Sequence, residues 1–144
     1  MTKGDKAKEL FEQGYNCAQA VFGAFAEDLG LDMKTATMLA SSFGGGMGRM
    51  REVCGAVSGS FMAIGMKKGY SDPKDNDAKM ALYALIQQMA GDFRAEAGSI
   101  ICRELIAEGN TGPVPSERTN EYYKKRPCGE LCKLAADIAE NYMK

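Results

Sequence analysis

Apolar side chains recur every three or four residues along most of the chain, the spacing that places them on one face of an α-helix. Glycine or proline stands at most boundaries between these periodic segments, where helices usually begin or end. No segment shows the alternation of apolar and polar residues that is typical of a half-buried strand. The pattern therefore predicts an all-α fold, a compact array of about five to seven helices. The predicted helices span residues 4–13, 17–29, 33–42, 54–68, 75–96, 100–109 and 128–143.

The stretch from residue 109 to residue 127 breaks this periodicity and carries Gly112, Pro113 and Pro115. Proline lacks the backbone N–H that a helix interior requires, so we predict a surface loop here. A loop of this length is longer than most, which favours a segment that covers another part of the molecule.

Length and composition fit a single globular domain over residues 1–144. The chain is 45% hydrophobic and carries a formal net charge of −1. A charge this close to zero gives no long-range attraction to nucleic acids or to anionic membranes. Apolar runs are interrupted well before the roughly 18 residues that a membrane-spanning helix needs. The N-terminal residues are charged and lack the apolar stretch of a signal peptide, so we predict a cytoplasmic protein.

Histidine is absent, which excludes several classes of site. The chain alone cannot form a His-based acid–base catalyst, a Cys–His nucleophile pair, a His-ligated metal site or a haem held by His. Five cysteines remain as the residues with the most reactive chemistry. In a cytoplasmic protein they point away from a fixed disulfide framework and towards redox chemistry, a thiolate metal site or plain burial.

The most informative stretch runs from Phe43 to Gly59, FGGGMGRMREVCGAVSG. The consecutive glycines Gly44, Gly45 and Gly46 predict a loop with unusual backbone dihedral angles or a close approach to another group. Cys54 follows at a predicted helix start, where the positive end of the helix dipole favours a thiolate. We therefore predict that Cys54 has a lowered pKa and is the reactive thiol of a site.

The same loop has a second interpretation, as an anion-binding loop. Its backbone N–H groups, assisted by Arg49 or Arg51, are suited to a phosphate or a carboxylate. It matches neither the phosphate-binding nor the dinucleotide-binding fingerprint, because no strand precedes it. In the following helix, small residues four positions apart form a groove that another backbone or a ligand would fit. The predicted ligand-binding residues are Gly44, Gly45, Gly46, Arg49, Gly55 and Gly59.

The other cysteines come from separate predicted helices. Cys17 and Cys102 lie on apolar helix faces, and Cys128 and Cys132 are one turn apart in the last helix. Their separations match no zinc-ribbon or ferredoxin signature, which require cysteines a few residues apart. A disulfide between Cys128 and Cys132 inside a regular helix would be strained. Burial as a small apolar side chain stays the alternative interpretation for each of these cysteines.

Several segments resemble the C_GCAxxG_C_C family of proteins, which is named for its cysteine pattern. An early G-x-N-C-A-Q-A-V segment is present at Gly14 to Val21, and the central motif is present at Phe43 to Gly46 and Cys54 to Gly59. A C-R-E-L segment follows at Cys102 to Leu105, and a terminal cysteine opens the last predicted helix at Cys128. The resemblance extends over nearly the whole chain. It implies a small, mostly helical protein with four characteristic cysteines and a redox role.

Carried over by position, the four family cysteines correspond to Cys17, Cys54, Cys102 and Cys128, with Cys132 as the alternative for the last. The leading hypothesis is a thiol-based redox protein in which Cys54 and one of the other three cycle between dithiol and disulfide. One alternative is a four-thiolate site for a metal or an iron–sulfur cluster. Another is a non-catalytic module that binds a small anion or a partner through the glycine loop. The sequence allows a homo-oligomer and names no cofactor, substrate or redox partner, so it leaves open whether the protein is an enzyme.

Overall fold

A computed structural model describes residues 1–106 and 111–144. Within these ranges the fold is all-α, as the sequence predicts, and it contains no strand. Eight α-helices are present there, one more than the upper end of the predicted number, because two short helices add to six longer ones. The helices are α1 (Lys3–Glu12), α2 (Cys17–Ala24), α3 (Met33–Ala40), α4 (Gly55–Lys68), α5 (Asn76–Ala97), α6 (Cys102–Ile106), α7 (Asn120–Lys125) and α8 (Cys128–Tyr142).

The structure differs from the predicted helices in two places. Helix α2 ends at Ala24 instead of near residue 29, because the N–H groups of Phe25 and Ala26 bond three residues back instead of four. Helix α7 lies in the stretch that was predicted to be a loop throughout. It begins where the Thr119 hydroxyl accepts a hydrogen bond from the backbone N–H of Tyr122 at 3.1 Å. The predicted helix end at Gly109 lies outside the described residues.

The first two helices begin where side chains satisfy their backbone N–H groups. The Asn16 side chain accepts a hydrogen bond from the Gln19 backbone N–H at 2.9 Å, and the Gln19 side chain accepts one from the Asn16 backbone N–H at 3.1 Å. Thr2 and Asp5 form the same reciprocal pair at the start of α1. Each pair satisfies two donors that a helix start otherwise leaves unbonded. This local chemistry fixes Cys17 as the first residue of α2.

Helix α2 lies at the centre of the core and contacts α1, α3, α4 and α8. Its Val21 and Phe22 are buried together with Phe11 from α1. Helix α8 packs against α1, α4 and α5 as well, and presents fully buried alanines such as Ala135 to them. Burial of these side chains is the main favourable contribution to folding. The two helices together hold the starts of α2, α4 and α8 in one region.

Close packing of α4 against α2 depends on glycine. A Cβ atom built on Gly59 would lie only 2.8 Å from the backbone oxygen of Ala18, and one on Gly55 would lie 3.1 Å from the Cβ of Cys17. Real Cβ atoms essentially never come within 3.0 Å of such a neighbour. Gly59 therefore has the packing role between two helices that was one of its two predicted roles, and its ligand-binding role stays a prediction.

None of the helices in the described ranges combines the length and the apolar character that a membrane crossing requires.

The Gly59→Ala variant is expected to lose about 1–3 kcal/mol of unfolding free energy, because α4 must move away from α2 to admit the methyl group. Gly65→Ala in the same helix is the matched control, since nothing lies within 4 Å of its Cβ position. That control is expected to gain about 0.5–1 kcal/mol, as alanine is the better helix former. Denaturant unfolding measures both, and equal effects at the two positions would contradict the packing role of Gly59.

Candidate functional site

Four of the five cysteines line one cavity of about 330 Å³. They are Cys17, Cys54, Cys102 and Cys128, the four residues that the sequence analysis selected as a set. All five cysteines are free thiols, and only Cys17 is more than marginally exposed. The cavity therefore concentrates thiol groups that are far apart in the sequence.

Each of these cysteines lies at the start of a helix. Cys17 and Cys128 are the first residues of α2 and α8, and Cys54 is the residue immediately before α4. The N-terminus of a helix carries a partial positive charge and unbonded N–H groups. Three helix starts thus direct positive potential towards the same cavity.

The glycine loop forms one wall through an unusual left-handed turn. Every residue from Gly45 to Arg49 has a positive φ, between 58° and 71°. Hydrogen bonds close the turn, among them one from the Gly48 N–H to the Ser42 oxygen at 2.8 Å. Gly46 is required for space as well, because its Cβ would lie 2.6 Å from the Cβ of Cys102. The predicted combination of unusual dihedral angles and close approach is found at this position.

A pair of backbone hydrogen bonds joins the end of this loop to the start of α6. The Cys54 N–H donates to the Ile100 oxygen at 2.8 Å, and the Cys102 N–H donates to the Glu52 oxygen at 2.6 Å. Val53 and Ile101 form an isolated antiparallel bridge between them. Cys54 and Cys102 consequently share one wall of the cavity although they belong to different helices.

Arginine side chains supply the charge of the cavity wall. Four of them line it: Arg49, Arg51, Arg118 and Arg126. The guanidinium of Arg51 is buried and donates a hydrogen bond to the Cys102 sulfur at 3.7 Å. Arg51 also adopts a positive φ of 62°, which is costly for a residue with a side chain.

Arg118 holds the segment after residue 111 against α1. Its guanidinium donates to the backbone oxygens of Phe11 at 3.1 Å and Tyr15 at 3.0 Å. It also lies over the Phe11 ring, 4.4 Å from the ring centre. Arg49 reaches the same segment from the glycine loop and donates to Ser116 Oγ at 3.3 Å and to the Gly112 oxygen. The predicted covering loop therefore closes over the cavity through arginine contacts.

Cys54 does not have the lowered pKa that its place at a helix start predicted. Burial of the side chain raises the pKa of Cys54 to about 12, and hydrogen bonds from the backbone N–H groups of Ala56 and Val57 offset only part of this effect. Burial also raises the pKa of Cys102, although the Arg51 guanidinium acts in the opposite direction. In this cavity the cost of burying a charged thiolate outweighs the attraction of the helix start.

The thiols of Cys17, Cys128 and Cys132 interact with one another. Hydrogen bonding with Cys128 lowers the pKa of Cys17, but hydrogen bonding with Cys132 and burial raise it further, and the pKa lies well above its ordinary value. Hydrogen bonding with Cys17 and burial raise the pKa of Cys128. Neighbouring thiols hold one another in the neutral form, because two adjacent thiolates would repel.

Cys128 and Cys132 differ in their position relative to the cavity. Cys128 lines it, whereas Cys132 is fully buried behind it and its sulfur lies 3.9 Å from the backbone oxygen of Cys17. One helical turn separates the two residues, so they extend from α8 in a similar direction but at different depths. Access to the cavity distinguishes Cys128 from Cys132.

The other predicted site residues are distributed unevenly. Gly44, Gly45, Gly46, Arg49 and Gly55 line the cavity, while Gly59 does not. Sequence reasoning missed Arg118, Arg126 and Tyr122, which also line it. The one available signal was the proline-containing stretch after residue 111, which predicted a covering segment but singled out no residue within it.

A four-thiolate metal site stays a prediction. Among the residues that the structure describes, no group of three or more histidine, cysteine, aspartate or glutamate side chains is arranged to hold a metal ion.

Comparison with known proteins gives one match. A protein-family model described as "Putative redox-active protein (C_GCAxxG_C_C)" matches residues 15–142. No curated protein and no solved structure matches the chain. The matched range includes all five cysteines and every helix except α1.

The alkylation rate of Cys54 in the folded protein is expected to rise about tenfold per pH unit between about pH 7 and about pH 10, without a plateau. The reason is that only the thiolate reacts and a pKa of about 12 keeps the thiol protonated throughout this range. Mass spectrometry of the iodoacetamide-labelled peptide measures the rate.

The same residue in the chemically unfolded chain is the control, and its rate is expected to level off once the pH passes the ordinary value of 9.0. A plateau below that pH in the folded protein would contradict the raised pKa and restore the lowered pKa predicted from the sequence.

Proposed function

Because the chain belongs to the C_GCAxxG_C_C family, whose description is that of a redox-active protein, we propose that it is a thiol-based redox protein that cycles between a dithiol and a disulfide. We assign the disulfide to Cys17 and Cys128. The observation that carries the proposal is the presence of four cysteines from four helices around one cavity, with the thiols of Cys17 and Cys128 close enough for each to shift the pKa of the other. We further propose that residues 1–144 act as one helical domain.

The assignment to Cys17 and Cys128 replaces the Cys54-centred pair predicted from the sequence. A disulfide requires two sulfur atoms that approach one another closely. The thiol of Cys128 is the largest single influence on the pKa of Cys17 and lowers it, and the thiol of Cys17 is the largest influence on the pKa of Cys128 and raises it. Cys54 and Cys102 have no such mutual hydrogen bond among the causes of their raised pKa values. They stay in the proposed site as further thiols of the cavity wall.

Cys17 is the attacking residue in this proposal. As a residue it is the most exposed of the four cavity cysteines. The neighbouring Cys128 thiol lowers the pKa of Cys17, which opposes part of the rise that Cys132 and burial cause. Attack on a small disulfide, RSSR, forms a bond between the Cys17 sulfur and one RS group. The other RS⁻ leaves and takes up the proton that Cys17 released.

Cys128 completes the cycle. Its thiolate attacks the Cys17 sulfur of the mixed disulfide, forms the Cys17–Cys128 disulfide and expels the second RS⁻, which takes up the proton of Cys128. Two electrons pass from the protein to the substrate, and one RSSR becomes two RSH. A thiol reductant reverses the sequence. We place this chemistry in the cytoplasm, where the resting thiols are kept reduced.

Treatment of the reduced protein with the neutral 2-hydroxyethyl disulfide is expected to remove two of the five alkylatable thiols, and dithiothreitol is expected to restore them. Cys17→Ser should lose none, because no attacking thiolate remains. Cys128→Ser should stop at a mixed disulfide on Cys17, visible as one added mercaptoethanol group. Mass spectrometry of the intact and alkylated protein measures each outcome.

Cys132→Ser is the matched control, since Cys132 also contacts Cys17 but lies outside the cavity. It should lose two thiols as the wild type does. Cys54→Ser should also keep the cycle, in contrast to the hypothesis drawn from the sequence alone. Loss of two thiols from Cys17→Ser would refute the assignment.

A further inference from the structure

The hydrogen-bond partners of Arg49 and Arg118 at the cavity wall do not neutralise the charge of these two side chains. Arg49 donates to the backbone oxygen of Gly112 and to the hydroxyl of Ser116. Arg118 donates to two backbone oxygens and to the Tyr123 hydroxyl at 3.4 Å. Carbonyl and hydroxyl oxygens position a guanidinium but bring no negative charge to it. None of the described residues that line the cavity is acidic.

Arg49 and Arg118 are partly buried at the cavity. A cation that is removed from water requires a counter-charge or strong hydrogen bonds. The starts of α2, α4 and α8 add partial positive charge to the same space. The thiols cannot act as the counter-charge at rest, because their raised pKa values keep them neutral. The empty space beside Arg49 and Arg118 is therefore suited to an anion.

The backbone of the glycine loop is strained at residues that carry side chains. Met47, Arg49 and Arg51 are the non-glycine residues with positive φ in the described chain. This left-handed conformation is unfavourable for a residue that carries a side chain. Glycine would relieve the strain, and it already occupies the neighbouring positions 45, 46 and 48. Two of the three strained residues are arginines that line the cavity. Backbone strain of this kind is common at functional sites, which favours a function for this wall.

Much of the remaining wall is apolar. Phe11, Leu105, Ile106 and Leu131 line the cavity together with two prolines of the covering segment. Its volume of about 330 Å³ lies in the range of small-molecule sites. An inorganic ion would contact only the arginines and leave the apolar surface uncovered. An organic anion would contact the arginines with its charged group and the apolar side chains with its hydrocarbon part.

We propose that the cavity binds a small organic anion of the carboxylate type, with its charged group at Arg49 and Arg118 and its apolar body between Phe11 and Leu131. Arginine has five N–H donors, and the recorded hydrogen bonds of Arg49 reach two acceptors, which leaves donors for a carboxylate. The disulfide substrate of the cycle is then an anionic one, an extension that rests on the proposed function. The ligand site itself does not depend on it.

Calorimetric titration of the fully reduced protein tests the site without any redox step. Octanedioate is the probe, because it has the shape of dithiodipropionate with the two sulfurs replaced by methylenes. Octanediol with terminal hydroxyls has the same length without the charges. Octanedioate is expected to bind at least about tenfold more tightly, and its affinity should fall as salt is added. Absence of octanedioate binding, or equal affinity of the two probes, would overturn the proposal.

Substitutions of Arg49 test whether the charged group of the ligand binds at this side chain. Arg49→Gln should weaken octanedioate binding about tenfold, while Arg49→Lys, which keeps the charge, should retain most of the affinity. Arg94→Gln is the matched control, because Arg94 is exposed on α5 and does not line the cavity. Unchanged binding in Arg49→Gln, or an equal loss in Arg94→Gln, would count against a site at this wall.

Oxidation rates separate this proposal from the redox function. For each disulfide, the rate of thiol oxidation in the folded protein is divided by the rate in the unfolded chain. This relative rate should be higher for dithiodipropionate than for 2-hydroxyethyl disulfide. Octanedioate binding with no thiol loss from either disulfide would keep the anion site and refute the redox cycle. Thiol loss at equal relative rates, without octanedioate binding, would keep the cycle and refute the anion site.

Discussion

The candidate site depends on the close approach of α4 to α2. Glycine at position 59 permits this approach, since any larger side chain would meet the backbone of Ala18. The contact brings Cys17 at the start of α2 near Cys54 at the start of α4, and α8 packs against both helices and adds Cys128. Three helix starts thus meet in one place, and the cavity is the space that remains between them.

Two electrostatic effects oppose one another in this cavity. Burial favours neutral thiols and raises the pKa of each cysteine, while guanidinium groups and helix starts favour negative charge. Burial dominates for Cys102 although Arg51 lies beside it. For Cys128 beside Arg126, the interaction with Cys17 raises the pKa most and burial raises it further. In the proposal made above, the charge of Arg49 and Arg118 is available to a group that arrives from outside. This arrangement connects the proposed redox cycle of the thiols with the proposed binding of an organic anion.

Local signals made much of the fold predictable. Periodicity located six long helices to within a few residues at most ends, and the glycine run marked a loop with unusual dihedral angles. The same signals failed where distant parts of the chain interact. Arg118 could not be recognised, because its partners Phe11 and Tyr15 lie more than a hundred residues earlier. The pKa of Cys54 was mispredicted, because a helix start is visible in sequence and the degree of burial is not.

Resemblance to the C_GCAxxG_C_C family selected Cys17, Cys54, Cys102 and Cys128 as a set. Residue identity and spacing alone predicted the all-α fold and excluded histidine chemistry. These conclusions rest on properties of single residues and of one helix at a time. Packing determined the rest: which thiols touch, which of Cys128 and Cys132 reaches the cavity, and that the thiols are neutral. Distances between helices and exclusion of water control those properties, and both arise only when α2, α4 and α8 come together.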